Sequence, residues 1–201
     1  MKFLLIIILA IPLFYSDQLN NSGVSVGSRV AIAGEKKSSR LIAAAKAGDA
    51  EMVSNMLNNG LKVDTADWAG WTSLHWASLL LKNNVIKVLL KFGADIERVG
   101  EGGKNSGTPL MMASKKYYGL KTVQFLLMSG ANVNGEDQYG RTPLIIASRY
   151  GRLKIVRMLI EYGANVKHSS KLNSWKTALK VAEDKGHIDI AIMLRNAGAL
   201  K

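Results

Sequence analysis

Apolar residues along this chain come in short bursts at three- and four-residue steps, separated by polar turns. Leu144 and Ala147, then Ile155, Met158 and Leu159, set the pattern, which predicts two short helices with one apolar face each. Gly151 lies between the two bursts, where a left-handed backbone would end the first helix. The N-terminus carries a different pattern. From Phe3 to Tyr15 the chain is one apolar run, broken only by Pro12.

The helical pattern returns at a steady beat. Gly60, Gly93, Gly130, Gly163 and Gly198 follow one another at intervals of 33, 37, 33 and 35 residues, a period of stacked repeats rather than of a globule with one central core. A second marker runs in step with the first: Thr72-Ser73-Leu74, Thr108-Pro109-Leu110, Thr142-Pro143-Leu144 and Thr177-Ala178-Leu179. The Thr-to-Gly interval is 21, 22, 21 and 21 residues, whereas the Gly-to-Thr interval is 12, 15, 12 and 14. The constant half therefore holds rigid packing and the variable half holds loops. Threonine can cap a helix, and the proline after it stands where a helix has an N–H to spare.

These markers resemble the ankyrin repeat. The stretch Gly140-Arg141-Thr142-Pro143-Leu144 through Gly163-Ala164-Asn165-Val166 matches that family's pattern almost throughout. The resemblance implies an all-α solenoid of stacked helix-turn-helix repeats joined by β-hairpin loops, here preceded by a signal segment. Five units follow, at about 38–66, 67–99, 100–136, 137–169 and 170–201. The first lacks Thr-Pro-Leu but keeps Ala44, Gly48, Val53, Leu57 and Gly60 in register, and reads as an N-terminal cap. The last reads as the C-terminal cap. No unit buries its apolar face alone, so stability is a sum over neighbour interfaces. Ala77, Ala113, Ala147 and Ala182 are small enough for close helix stacking, and His75 is expected to make a structural hydrogen bond. The pattern breaks in three places. Leu81 stands where a helix-ending glycine is expected, the loop from Arg98 to Gly107 has three extra residues, and Tyr117-Tyr118 accompany an insertion.

In this family partners usually touch the hairpin tips and the inner, concave helix face. Carried over by register, the resemblance assigns partner contact to Trp68, Trp71, Leu79 and Leu80 in the second unit and to Lys104, Lys115 and Lys116 in the third. Tyr139, Arg141, Arg149 and Tyr150 follow in the fourth, and Lys176 in the fifth. Tryptophan, tyrosine and arginine dominate binding energy at interfaces. Trp68 and Trp71 have two readings, an exposed binding patch or packing between adjacent hairpins, and the register favours the first. Trp76 falls on the buried stripe.

The formal net charge of +12 would draw acidic partners over a Debye length of about 8–10 Å. The expected partner is a protein with an acidic rim and an apolar centre, bound by a monomer without cofactor, metal or small-molecule substrate. Nucleic acid is disfavoured, because no recognition-helix motif is present. The segment 102–108 has the look of a phosphate loop but lacks the Gly-Lys-Ser/Thr ending, and by register it is a hairpin tip. The three histidines form no pair at metal-ligand spacing and there is no cysteine, so nothing recommends catalysis.

Lys2 and the run after it fit a secretory signal peptide, at residues 1–16 with cleavage near Ser16, although Phe14 is large for the usual small-x-small site. The run is shorter than the about 20 apolar residues of a spanning helix; left uncut, residues 3–15 would anchor the protein to a membrane. Residues 17–37, rich in Ser, Asn and Gly, read as a flexible tether. An exported protein is expected, periplasmic or surface-bound in a bacterium, or a secreted effector that engages a host protein.

Overall fold

The computed structural model describes residues 39–101, 107–170 and 176–199. The expected signal segment, the tether, Lys104 and Trp175 lie outside the described residues.

Ten helices form among the described residues. They are α1 (39–47), α2 (Ala50–Asn58), α3 (Ser73–Leu79), α4 (Asn83–Lys91) and α5 (Pro109–Ser114), then α6 (Leu120–Met128), α7 (Pro143–Arg149), α8 (Leu153–Glu161), α9 (Ala178–Asp184) and α10 (Ile188–Asn196). Each odd-numbered helix from α3 packs on the even one after it. The odd helices stack in a row, α3 on α5 on α7 on α9, and α6, α8 and α10 stack behind them. Such short helices are marginal alone. They persist because one face of each is buried, as with Val85, Ile86 and Leu89 of α4 or Ile155, Val156 and Leu159 of α8. The core is a continuous apolar seam from Leu41 to Ala199, with no centre.

The capping chemistry follows the recurring motifs. Thr108, Thr142 and Thr177 have extended backbones, and their hydroxyls accept from the N–H of Met111, Ile145 and Lys180. At the other end of each unit from the second onward a Gly-Ala pair closes the outer helix. Gly163 takes φ +85°, and the N–H of Ala164 then reaches back to the Leu159 carbonyl at 2.9 Å, the left-handed helix stop that satisfies an orphan carbonyl. Ala94, Ala131 and Ala199 repeat that bond to Leu89, Leu126 and Leu194. Beyond the stop, side chains link neighbouring units: Asp64 accepts from the N–H of Asp95, Glu97 from Asn132 and Asn134 from Asn165.

At the tips the expected hairpins are reduced to isolated bridges. Single bridges pair Ala66 with Thr72, Gly100 with Gly107 and Ser169 with Thr177, and no strand forms among the described residues.

Leu81 carries the burden of its missing glycine. With φ 58° it is the one non-glycine left-handed residue among those described, in the turn that Gly48, Gly151 and Gly186 make elsewhere. A side chain there is strained by about 1 kcal/mol. Leu81→Gly is therefore expected to stabilise the protein by up to about 1 kcal/mol, read as a rise in the urea midpoint. In the third unit the insertion lengthens the turn after α5. Gly119 there has an ordinary φ, but a Cβ would collide with the Ala113 carbonyl oxygen, so this glycine is required by space.

Candidate interaction face

The tips and the exposed ends of α3, α5 and α7 form one continuous surface, because side chains tie them together. Asp67 at the second tip accepts from the N–H groups of Ala69 and Trp71 and from the Trp76 indole N–H on α3, at 2.9–3.0 Å. The Lys46 ammonium of α1 sits 3.6 Å above the Trp76 ring. Beneath the tips lies a second apolar cluster of Trp71, Met111, Met112 and Ile146, with Ala69, Trp76 and Leu79 packed against it.

Trp68 is 98% exposed. Trp71 does not join it on the open face: it is only 6% exposed, stacked on His75 with ring centroids 6.0 Å apart and tilted against Trp76 at 4.7 Å. Its ring occupies space that glycine leaves free, since a Cβ on Gly100 would come within 2.6 Å of Trp71 Cδ1. The two readings of the tryptophan pair thus divide, Trp68 exposed and Trp71 packed. Trp76, expected on the buried stripe, is half-buried.

Arg141 is the other correction. It is 7% exposed, and its Nε donates to Asp137 Oδ2 at 2.6 Å while the guanidinium lies 4.9 Å from the Tyr139 ring centroid. Asp137 also accepts from the N–H groups of Tyr139 and Arg141, so Arg141 builds its tip rather than projecting from it. Leu80, Arg149 and Tyr150 are exposed, and Leu79, Lys115, Lys116 and Tyr139 are half-buried. Lys176 is engaged by Asp184, whose carboxyl is held below its ordinary pKa by the Lys176 and Lys180 ammoniums.

Lys115 is electrostatically unusual. Burial, aided by Arg141 and Arg149 and opposed by Asp137, lowers its pKa to about 8. Its Nζ lies 3.4 Å from Met112 Sδ, and no carboxylate pairs with it among the described residues. The sequence marked Lys115 by register; the desolvation that sets it apart needs the neighbouring unit.

The histidines tie units together. His75 Nδ1 accepts from the Thr72 N–H at 3.1 Å, and its Nε2 faces the Gly107 carbonyl at 3.2 Å. His168, which in the sequence stands alone, bonds the Gly140 carbonyl at 2.8 Å, and His187 faces that of Arg149.

A separate groove of about 720 Å³ opens on the far end, between Tyr117, Tyr118 and Lys121 on one unit and Arg152, Leu153 and Lys154 on the next. The sequence signalled it only through the insertion. Among the described residues no helix is long and apolar enough to cross a membrane, and no three His, Asp or Glu side chains are grouped to hold a metal ion.

Paired helices in a row, closed by left-handed stops and presenting tips and inner helices on one surface, define a helical-repeat solenoid. A family profile described as ankyrin repeats in three copies matches residues 18–100 and 110–201, and the chain belongs to the ankyrin-repeat family. The first match reaches back into the stretch read as a tether. Ankyrin repeat, SAM and basic leucine zipper domain-containing protein 1 of Ornithorhynchus anatinus is 30% identical over 119 residues, covering 57% of this chain and 24% of that protein. Ankyrin repeat and SOCS box protein 6 of Mus musculus is 33% identical over 114 residues, covering 56% and 27%. Putative palmitoyltransferase ZDHHC13 of Danio rerio is 29% identical over 110 residues, covering 55% and 17%. The chain thus spans less than a third of each of these relatives. Ankyrin repeats in general mediate protein–protein interaction.

Proposed function

We propose that this protein is an exported, non-catalytic interaction module that holds a partner protein with an acidic surface against its tips and inner helices. The observation that carries the reading is Trp68, 98% exposed at a tip on the same surface as Leu80, Arg149 and Tyr150. An indole left in water contributes nothing to the fold, whereas buried against a partner it would be a binding anchor. The basic residues alongside favour acidic surfaces and speed encounter more than they add affinity. Export rests on the apolar run from Phe3 to Tyr15 behind Lys2, and a mature N-terminus near Asp17 in N-terminal sequencing would support it. Retention of Met1 would point instead to an anchored protein.

The test is partner capture by cross-linking and mass spectrometry with the native chain and with Trp68→Ala/Arg149→Glu. Captured partner is expected to fall at least tenfold while the thermal midpoint stays within about 1 °C, as for surface substitutions. Undiminished capture by the double variant would remove this face from the function.

A further inference from the structure

We propose that the groove between the third and fourth units, at the end away from the tips, binds an acidic segment of a partner protein that carries an aromatic side chain. This is a second site, and it does not depend on the tip-face reading above.

The groove exists because one turn is longer than its counterparts. Five residues, 115–119, join α5 to α6, whereas three join α3 to α4, α7 to α8 and α9 to α10. The longer turn carries Tyr117 and Tyr118 out of the solenoid, 71% and 82% exposed, yet both rings are braced. They meet edge-on with centroids 4.9 Å apart. From the next unit, the Arg152 guanidinium lies 5.6 Å from the Tyr117 ring centroid while its Nε donates to the Lys115 carbonyl at 2.9 Å. One wall of the groove is thus an aromatic pair held in place before anything binds, which lowers the ordering cost of an occupant. Tyrosines so placed are the residues that dominate binding energy once water is excluded from them.

The rest of the lining selects the charge of the occupant. Leu120, Leu153 and Ile155 supply apolar surface, and Lys121, Arg152 and Lys154 supply three cations without a carboxylate among them. None of the three cations has an ion pair among the described residues. Asp189 of the fifth unit lines the next recesses along, which share Leu153 with this groove. Lys121 and Lys154 each stand second in their helix, and packed helices lie about 8–10 Å apart. An extended chain rising about 3.3 Å per residue covers that distance in about three residues. Two carboxylates at that spacing would reach both ammoniums, and an aromatic ring between them would meet the tyrosines edge to face. The volume of about 720 Å³ is of the size that encloses a short peptide or a ligand like it. Anionic lipid offers the same charge, but a flat membrane reaches the rims of a groove without filling it.

The test titrates the full chain with a capped Glu-Phe-Ala-Glu peptide, followed through its backbone amide resonances by NMR. In support, the shifts centre on Tyr117, Tyr118, Leu153 and Lys154, and Tyr118→Ala and Lys154→Glu each weaken binding about fivefold or more. Both residues are exposed, so their substitution is expected to leave the thermal midpoint within about 1 °C. A Gln-Phe-Ala-Gln peptide and a Glu-Ala-Ala-Glu peptide should each bind about fivefold or more weakly than the probe, for want of charge and of ring. Trp68→Ala, at the tips, should leave binding within about twofold. The proposal is overturned if the shifts centre elsewhere, or if the Tyr118→Ala/Lys154→Glu double variant binds as the native chain does. It is equally overturned if the glutamine peptide matches the probe, or if vesicles of phosphatidylserine and phosphatidylcholine perturb the same resonances while the peptide does not. None of these failures touches the tip-face reading, which stands or falls on capture by Trp68→Ala/Arg149→Glu.

Discussion

Acidification from pH 7 to pH 4 is expected to cost the folded protein on the order of 3 kcal/mol through His75 alone. The ring is completely buried. Burial, the largest cause, lowers its pKa from 6.5 to about 4, against smaller raising contributions from the Arg98 and Gly107 backbone. In the neutral ring Nδ1 accepts from Thr72 while the Nε2 proton points to the Gly107 carbonyl; a second proton would take the acceptor away. Between pH 6.5 and 4 the unfolded chain binds a proton that the folded chain refuses. Stability therefore falls as the pH drops through that window, and this contribution levels off below it. Urea denaturation of the native chain and of His75→Gln at pH 7, 5.5 and 4 checks the claim. The variant should be less stable at pH 7 by about 2 kcal/mol, having lost ring packing and well-placed hydrogen bonds. Its own loss on acidification should be smaller by on the order of 3 kcal/mol. Parallel profiles would show that the fold tolerates a protonated His75.

Asp137→Ala is expected to destabilise the protein by about 3–5 kcal/mol, the range for breaking a buried ion pair from one side. The change removes three accepted hydrogen bonds at the fourth tip and leaves Arg141 buried without its carboxylate. It also deprives Lys115 of the one group that raises its pKa. A shift of Lys115 titration to lower pH should accompany the loss of stability. Asp137→Asn keeps a side-chain acceptor for the tip and should cost about half as much. Chemical denaturation of both variants, with the Lys115 titration as the local readout, separates loss of charge from loss of the turn. A cost below about 1 kcal/mol for the alanine variant would mean that Arg141 escapes to solvent when released.

Much of this architecture was legible in the chain because its determinants are local. Thr108, Thr142 and Thr177 act within three residues, Gly163-Ala164 within six, and Leu81 announced an irregular turn by its side chain alone. His75 was legible as structural through the family resemblance. Its depressed pKa was not, because burial comes from the stacked units around it. The candidate face was half legible: register placed Trp68, Leu80, Arg149 and Tyr150 outward as found, and turned Trp71 and Arg141 outward when they lie inward.

Trp71 and Arg141 show where local reading stops. They occupy the same position of the repeat, directly before Thr72 and Thr142, where backbone direction leaves the side chain a choice. Trp71 turns in because Gly100 leaves room for an indole and Met111 and Met112 supply an apolar floor. Arg141 turns in because Asp137 waits at 2.6 Å. By itself the sequence determined the repeat, its caps and the order of its units, since hydrogen bonds between near neighbours and helical periodicity specify these. Only the tertiary structure decided which side chains at the tips remain free for a partner and which cation is left without a counter-charge. For Trp71 and Lys115 those outcomes depend on space and charge contributed by the next unit, which no unit carries in its own residues; for Arg141 they depend on whether the side chain folds back onto an acid four residues away in its own unit.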